Sequence, residues 1–114
     1  MAGAKFGVDN LTAIVDYNGV QLDGTTDQVM PIGDLAAKFR AFGWECIECD
    51  GHDVEQLIAA YEAAKAVAGK PAVILAKTVK GKGVSFMEGK NQWHGSPVDD
   101  AHFRIAMEEL GGAV

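Results

Sequence analysis

The polar turn DYNG (residues 16–19) is the part of this sequence whose residue types point most directly to chemistry. It follows the apolar run LTAIV (residues 11–15), a pattern that predicts a buried strand with the turn at its carboxyl end. In open α/β sheets, ligands bind at that edge. The amide oxygen of Asn18 and the backbone carbonyl of Val20 are hard oxygen donors of the kind that Mg²⁺ accepts. The same residues also suit an ordinary Asn-Gly turn, because both tolerate positive φ, so spacing alone leaves both interpretations open.

The sequence contains three histidines, which are the next candidates for chemistry. His94, in the sequence WHG, can donate a hydrogen bond to an anionic oxygen. A lone histidine more often makes a structural hydrogen bond, so residue type by itself does not make His94 a site residue. We interpret His52 as a structural residue at a helix start and His102 as a solvent-exposed residue of the last predicted helix.

A lysine-containing loop follows the apolar run AVILA (residues 72–76) at the same predicted edge of the sheet. It begins with Lys80 and continues as Gly81-Lys82-Gly83. Such a loop could bring backbone N–H groups near an anion. Glycine-rich loops are common, and this one is not specific by itself.

Cys46 and Cys49 form a C-x-x-C pair. A structural zinc site needs a second pair of Cys or His residues, and none follows at ligand spacing. A redox motif would lie at a helix N-terminus, whereas this pair lies in an apparent strand at residues 44–49. Residues three apart on a strand point to opposite faces. We therefore predict two reduced thiols without a metal or redox function.

Apolar periodicity and capping residues predict the elements that must position these residues. The predicted order is a helical tail at residues 1–6, strands at 11–16, 44–49 and 72–76, helices beginning after Asp34, Asp53 and Asp99, and loops at 21–32 and 80–97. Helical crossovers between short apolar strands imply a parallel sheet with right-handed connections. The sequence thus predicts a three-layer α/β fold, β-α-β-α-β-α, with a small three-stranded parallel sheet. The apolar runs at residues 11–15 and 72–76 are each of a kind that has neighbours on both faces of a parallel sheet in a complete domain.

The predicted helix after Asp53 has two further features. Gln56, three residues after Asp53, predicts a capping box. One apolar stripe is expected to face the core, and it consists of Val54, Leu57, Ile58, Tyr61 and Val67.

Composition excludes several classes of function. The chain has 114 residues, which suffice for one small domain, and its net charge of −6 argues against a nucleic-acid surface. No apolar stretch approaches the length of a membrane span, and the first residues lack the apolar region of a secretory signal. We expect a cytoplasmic protein that contacts neither nucleic acid nor membrane.

Four blocks of the sequence carry a family resemblance. They are NLTAIVDYNGVQLDG (residues 10–24), AFGWECIECDGHD (41–53), KPAVILAKTVKGKG (70–83) and WHGSP (93–97). In collinear order over nearly the whole chain, they resemble the thiamine-diphosphate-binding domain of transketolase. The WHG form of the last block looks most like the split transketolases, whose N-terminal half is a separate subunit.

The resemblance implies roles for five residues. Asn18 and the Val20 carbonyl would be the metal ligands, holding a divalent ion, Mg²⁺ or another cation, that bridges the diphosphate of thiamine diphosphate. Leu22 resembles the apolar residue beside the ring system of the cofactor. His94 resembles the histidine that points at the cofactor diphosphate and at the substrate, which makes it the implied catalytic residue. Lys80 is counted among the cofactor-binding residues, although many transketolases carry an apolar residue at that position.

The resemblance also implies that part of the site is missing from this sequence. The GDG motif that supplies a metal-ligating Asp has no counterpart here, and the activating Glu of the family comes from a pyrimidine-binding domain. Residues 1–114 are therefore expected to be the C-terminal portion of a diphosphate-binding domain: a truncated product, a fragment, or one piece of an unusually split enzyme. The expected partners are the missing upstream half, a pyrimidine-binding domain or subunit, and further copies of this chain. Self-association is expected because the missing start of the first crossover leaves an apolar face and the sheet edges uncovered.

The reaction implied for the parent assembly is transfer of a two-carbon ketol unit between sugar phosphates, dependent on thiamine diphosphate and Mg²⁺. The isolated chain is expected to be inactive. Two alternatives stay open: a non-catalytic α/β binding or assembly module derived from a thiamine-diphosphate enzyme, and part of a deoxyxylulose-phosphate synthase.

Overall fold

The computed structural model describes residues 1–112. Contacts divide the chain into two compact units. The sheet unit comprises Met1–Tyr17 and Ile32–Thr78, and the loop unit comprises Asn18–Pro31 and the chain from Val79 onward. None of the helices within residues 1–112 has the length and apolar character that a membrane crossing requires.

The regular elements alternate between helix and strand along most of the chain. In order they are α1 (Ala2–Lys5), β1 (Thr12–Tyr17), β2 (Val20–Gln21), β3 (Gly24–Thr25), α2 (Thr26–Val29), α3 (Leu35–Ala41), β4 (Glu45–Asp50), α4 (Val54–Lys65), β5 (Ala72–Lys77), a 3₁₀ helix (Asn91–His94) and α5 (Asp100–Glu109). The predicted β-α-β-α-β-α order is confirmed. The sequence did not predict β2, β3, α2 or the 3₁₀ helix, which lies within the predicted loop at residues 80–97.

The sheet unit is built on a parallel sheet with β5 at its centre. The strand order is β1-β5-β4, and Ile74 of β5 pairs in register with Ile14 of β1 and Ile47 of β4. Val73 and Ile74 have no exposed surface, and Leu75 is 2% exposed. The prediction that residues 72–76 have neighbours on both faces is confirmed, because a central parallel strand is covered by helices above and below.

Two helices cover the two faces of the sheet and give the three predicted layers. Ala36 of α3 packs with Cys46, Val73 and Leu75 on one face. On the other face, α4 packs against a cluster that contains Cys49 and Ile74. The prediction that the two cysteines point to opposite faces is confirmed, and burial raises the pKa of both thiols, which keeps them protonated and poorly nucleophilic.

β1 and α4 both leave large apolar side chains exposed. Ile14 is 52% exposed although its register partner Ile74 is fully buried. One face of residues 11–15 therefore lacks a neighbour, as expected for a domain whose first crossover is missing its start. The reason is that α4 packs on β4 and β5, which leaves the same face of β1 uncovered.

The prediction that the apolar stripe of α4 faces the core is only partly correct. Leu57 and Val67 pack against the core, but three of its members are exposed, namely Val54, Ile58 and Tyr61. The side chains that α4 buries are Ala60 and Ala64. Small side chains allow a helix to approach a sheet closely, and the larger residues beside them are then displaced from the contact.

The three predicted helix caps are confirmed. Asp34, Asp53 and Asp99 each accept hydrogen bonds from backbone N–H groups of the first turn of α3, α4 and α5. The capping box of α4 differs in one detail, because the side-chain oxygen of Gln56 accepts from the Asp50 N–H at 3.0 Å. The Gln56 amide also donates to the Asp53 carboxylate at 2.9 Å. The Gln56 backbone and side-chain N–H groups together lower the pKa of Asp53.

The loop unit has little regular structure. The prediction of a plain loop at residues 21–32 is wrong, since β2 and β3 pair as a short antiparallel hairpin, Val20 opposite Thr25. α2 follows directly and is capped by the Thr25 hydroxyl. Val84 is the one apolar side chain of this unit that is buried within the described residues. Hydrogen bonds and turns, more than a hydrophobic core, therefore define its conformation.

Candidate functional site

The Asn18 turn holds one of the two predicted oxygen donors, the Asn18 side-chain oxygen, against the backbone of Val20. The Asn18 side-chain oxygen accepts a hydrogen bond from the Val20 N–H at 3.0 Å, which is the geometry of an Asx turn. Gly19 lies at φ +73°, a conformation that costs glycine little. The Gly19 carbonyl in turn accepts from the Thr26 N–H at 2.9 Å. These bonds fix the Asn18 side chain relative to the backbone of Val20.

The donor chemistry of this turn fits a hard divalent cation but does not complete its coordination. An amide oxygen and a backbone carbonyl are ligands that Mg²⁺ takes, whereas an octahedral shell needs six. Within residues 1–112, no group of three or more His, Cys, Asp or Glu side chains is placed to hold a metal ion. A cation bound here would therefore need oxygens from an anionic ligand, from water or from another polypeptide.

Leu22 connects the ligand turn with the segment that carries His94. Its side chain is 58% exposed, and its backbone carbonyl accepts a hydrogen bond from the side-chain amide of Asn91 at 3.0 Å. Asn91 begins the 3₁₀ helix that ends at His94. Sequence reasoning missed Asn91, because the two bonded residues are 69 positions apart and no local pattern marks such a contact.

His94 is exposed, and its position depends on its neighbours. The half-buried Trp93 packs against Phe86, with ring centroids 4.9 Å apart, and against His102 at 5.1 Å. Phe86 and His102 also contact each other edge to face at 4.7 Å. We call Phe86, Trp93 and His102 the aromatic cluster. It holds the residue next to His94 in place.

The interpretation of His102 as a solvent-exposed residue is wrong. Its ring is half-buried in the aromatic cluster, and its Nδ1 lies 2.8 Å from the Asp99 carboxylate. The His102 backbone N–H, followed by its ring, lowers the pKa of Asp99. Helical periodicity did not reveal this role, because the covering residues come from the loop before α5.

Lys80 begins a compact loop whose shape depends on glycine. The Lys80 carbonyl accepts from the Gly89 N–H at 2.8 Å, which closes the loop. Gly81 has φ +69°, and a Cβ atom there would lie 2.6 Å from the Cβ of Met87. Lys82 pairs with Glu88 at 3.0 Å, whereas Lys80 forms no ion pair within residues 1–112. Lys80, the predicted cofactor-binding residue, is thus the lysine of this loop that has no carboxylate ion-pair partner among the described residues, in contrast to Lys82.

All five site residues predicted from the sequence lie in the loop unit. The structure joins Asn18 to Val20, and it joins Leu22 to the helix that ends at His94. Lys80 stands on a separate loop of the same unit. Together the residues provide hard oxygen donors, an exposed apolar side chain, a cation and an imidazole, a combination that suits a metal-bound anionic ligand with an apolar part.

Comparison with known proteins relates the chain to one family. The profile of the family described as "Transketolase, thiamine diphosphate binding domain" matches residues 1–113. The 6-deoxy-6-sulfo-D-fructose transketolase subunit SqwG of Clostridium sp. (strain MSTE9) is 43% identical over 103 residues, which are 90% of this chain and 38% of that protein. An apulose-4-phosphate transketolase subunit of Phocaeicola vulgatus is 36% identical over 110 residues, 96% of this chain and 39% of that protein.

Solved structures give the same relationship. The transketolase of Campylobacter jejuni superposes with a TM-score of 0.89 at 31% identity, covering 97% of this chain and 17% of that one. The small parallel sheet with its covering helices is thus the arrangement found in solved transketolases. The chain spans less than half the length of each of these relatives.

Proposed function

The chain belongs to the transketolase family, as its thiamine diphosphate-binding domain, and on that premise we propose that it is part of an enzyme that transfers a two-carbon ketol unit between sugar phosphates. The observation that carries the proposal is the Asn18 turn, which presents an amide oxygen next to the backbone of Val20. Curated relatives named as transketolase subunits support a split enzyme, in which this domain and the rest of the site lie on separate chains.

Each site residue has a role in this proposal. Asn18 Oδ1 and the Val20 carbonyl would hold Mg²⁺ or a similar cation, which neutralises the cofactor diphosphate. Leu22 would pack against the cofactor rings, and Lys80 would add positive charge near the anion. When bound, thiamine diphosphate supplies the carbon nucleophile of the reaction. His94 would donate a hydrogen bond to a diphosphate or substrate oxygen, so it orients the reacting groups.

We further propose that residues 1–114 are the C-terminal portion of the diphosphate-binding domain and do not complete the site alone. The two oxygens of the Asn18 turn leave most of an octahedral shell unfilled. The missing ligands would come from an upstream half of the domain, and the group that activates the cofactor would come from a pyrimidine-binding domain or subunit. The uncovered face of β1 at Ile14 is where such an upstream half could pack.

The first experiment tests cofactor binding by the chain alone. We expect calorimetric titration with thiamine diphosphate and Mg²⁺ to show no micromolar binding. The chain lacks the metal-ligating Asp that the GDG motif of the family supplies, and without that carboxylate the metal site compensates the diphosphate charge poorly. Micromolar binding by the isolated chain would contradict the proposed division of the site.

The second experiment restores the proposed partners and measures two-carbon transfer. We expect Asn18→Ala to weaken metal and cofactor binding together, with Asn10→Ala as a matched control at an exposed site of the sheet unit. His94→Ala should lower turnover and raise the apparent KM for substrate while most cofactor affinity remains. Wild-type kinetics of His94→Ala would refute its assignment, and an assembly that forms without transfer would favour the non-catalytic module.

The uncovered apolar surface of the sheet unit supports a further part of this proposal, that the chain alone associates with itself. Ile14 is 52% exposed, and Ile58 and Tyr61 of α4 are 58% and 43% exposed. Exposed apolar surface of this kind drives association, so light scattering should report growing mass with concentration. Ile58→Glu should reduce that growth, whereas Ala68→Glu, at an exposed site beyond α4, should not. A monomer at high concentration in the wild type would refute the proposal.

A further inference from the structure

The segment that carries His94 is held at two points, neither of which is His94 itself. At its first residue, the Asn91 amide donates to the Leu22 carbonyl at 3.0 Å. At its third residue, Trp93 packs into the aromatic cluster. The Ser96 hydroxyl then donates to the Gln92 carbonyl at 2.6 Å and closes the turn behind His94. A four-residue 3₁₀ helix has few internal hydrogen bonds, so these contacts fix its place.

We propose that Asn91 is a positioning residue that sets the distance and orientation of His94 relative to the ligand turn. The inference rests on the proposed function of Asn18, Val20 and His94. Asn91 is half-buried, and its partner Leu22 lies two residues beyond the predicted metal ligand Val20. One hydrogen bond therefore links the segment of the catalytic candidate to the segment of the metal ligands.

The two anchors of the 3₁₀ helix differ in what they can specify. The packing of Trp93 on Phe86 and His102 buries apolar surface, and burial has little directional preference. A hydrogen bond weakens steeply as its angle departs from linearity. Asn91 is thus the contact that resists rotation of the helix about its aromatic anchor. If a bound cofactor orders the Leu22 backbone, the Asn91–Leu22 hydrogen bond would also order the segment that carries His94.

Asn91→Asp is the variant that isolates this bond. It keeps the shape of the side chain but replaces the donor NH₂ with an acceptor oxygen that faces the Leu22 carbonyl. Asn10→Asp in the sheet unit adds the same charge at an exposed position and is the matched control. Asn91→Leu, which removes the donor without adding charge, serves if Asn91→Asp does not fold.

The first measurement is a double-mutant cycle for transfer activity in the restored assembly. We expect Asn91→Asp to lower kcat by about 10- to 100-fold, the cost of small misplacement of a reacting group, with Asn10→Asp unchanged. In a His94→Ala background, Asn91→Asp should have almost no further effect, because its role is exerted through His94. The same fold loss in both backgrounds would overturn the proposal and indicate a role in folding alone.

The second measurement is independent of activity and uses the chain itself. We expect NMR spectra of Asn91→Asp to show shifted imidazole signals for His94 and a shifted backbone amide for Asp23, which follows the Leu22 carbonyl. His52 should be unaffected, and Asn10→Asp should move neither signal. Unmoved His94 and Asp23 signals would overturn the proposal. A wild-type assembly without transfer would refute the proposed function, and the NMR comparison would then decide alone whether Asn91 links the two segments.

Discussion

The sheet unit and the loop unit are stabilised in different ways. In the sheet unit, Val73 and Ile74 have lost all contact with water and Leu75 nearly all. In the loop unit, Val84 is the one apolar side chain of the described residues that is buried, and the Asn18 turn, the Asn91 bond and the aromatic cluster define the conformation. Burial of large side chains supplies stability, whereas single hydrogen bonds supply little stability but fix direction.

The difference explains where the candidate site lies. All five predicted site residues belong to the loop unit, where polar groups stay accessible to a ligand. The buried residues 72–76 of β5 have no accessible side chain to offer a ligand. Loops carried by a rigid scaffold commonly hold functional residues for this reason. The comparison predicts that core substitutions in the sheet unit cost much stability, and that changes in the loop unit cost less stability and mainly alter geometry.

The largest expected effect is in the sheet unit, at two isoleucines that are register partners. Ile74→Ala should lower the free energy of unfolding by about 2–5 kcal/mol, because it leaves a cavity in the core. Ile14→Ala, on the same sheet face but 52% exposed, should cost clearly less. Urea denaturation measures both. Measured at a protein concentration low enough to prevent self-association, equal losses would mean that Ile14 is covered within the chain itself, and the uncovered face proposed for association would not exist.

An intermediate effect is expected in the loop unit, at two glycines with positive φ. Gly89→Ala, at φ +70° with no atom near the added Cβ, should cost about 1 kcal/mol from backbone strain. Gly81→Ala has φ +69° and a Cβ only 2.6 Å from that of Met87, so it should cost more, up to about 3 kcal/mol. Denaturation and amide exchange across the loop measure the difference. Equal costs would show that Met87 can move and that the loop is less fixed than its hydrogen bonds indicate.

The smallest expected effect is a loss of stability at the N-terminus of α5, which Asp99 caps, at acidic pH. The His102 N–H groups hold the pKa of Asp99 below its ordinary value of 3.8, so folding favours the ionised carboxylate. Its contribution is therefore present at neutral pH and is lost as the pH falls through the lowered pKa. The amide protection factors in the first turn of α5, which are corrected for the intrinsic pH dependence of exchange, should fall over that range, while those of β5 stay high.

Asp99→Asn is the matched control for this prediction, since asparagine also caps helices well but does not titrate. In Asp99→Asn, the loss of amide protection in the first turn of α5 at low pH should disappear. Simultaneous loss of protection in α5 and β5 would contradict the distinction between the two units.

Local patterns in the sequence predicted the scaffold well. The Asp residues before α3, α4 and α5 were recognisable as caps, because a cap bonds N–H groups only two or three residues away. The apolar run of β5 indicated a strand buried on both faces, and alternation along β4 placed Cys46 and Cys49 on opposite faces. The short hairpin at Val20–Thr25 was missed, because two-residue strands give no periodicity to detect.

Burial and side-chain partners were decided by tertiary structure. The same apolar stripe that predicts a core-facing helix leaves Ile58 exposed, since only the packed sheet determines which side of α4 is covered. His102 becomes half-buried because Phe86 and Trp93 fold against it from the preceding loop.

The sequence by itself determined the family of the domain, its element order and the identity of the candidate ligands, because each of these rests on residue type and local spacing. Only the tertiary structure placed Asn91 on the Leu22 carbonyl, Trp93 against His102, and Met87 against Gly81. These contacts join residues that no helical or strand period relates, and their geometry depends on the closure of loops around them. The ligand types could therefore be predicted from the sequence, whereas the contacts that hold them in place could not.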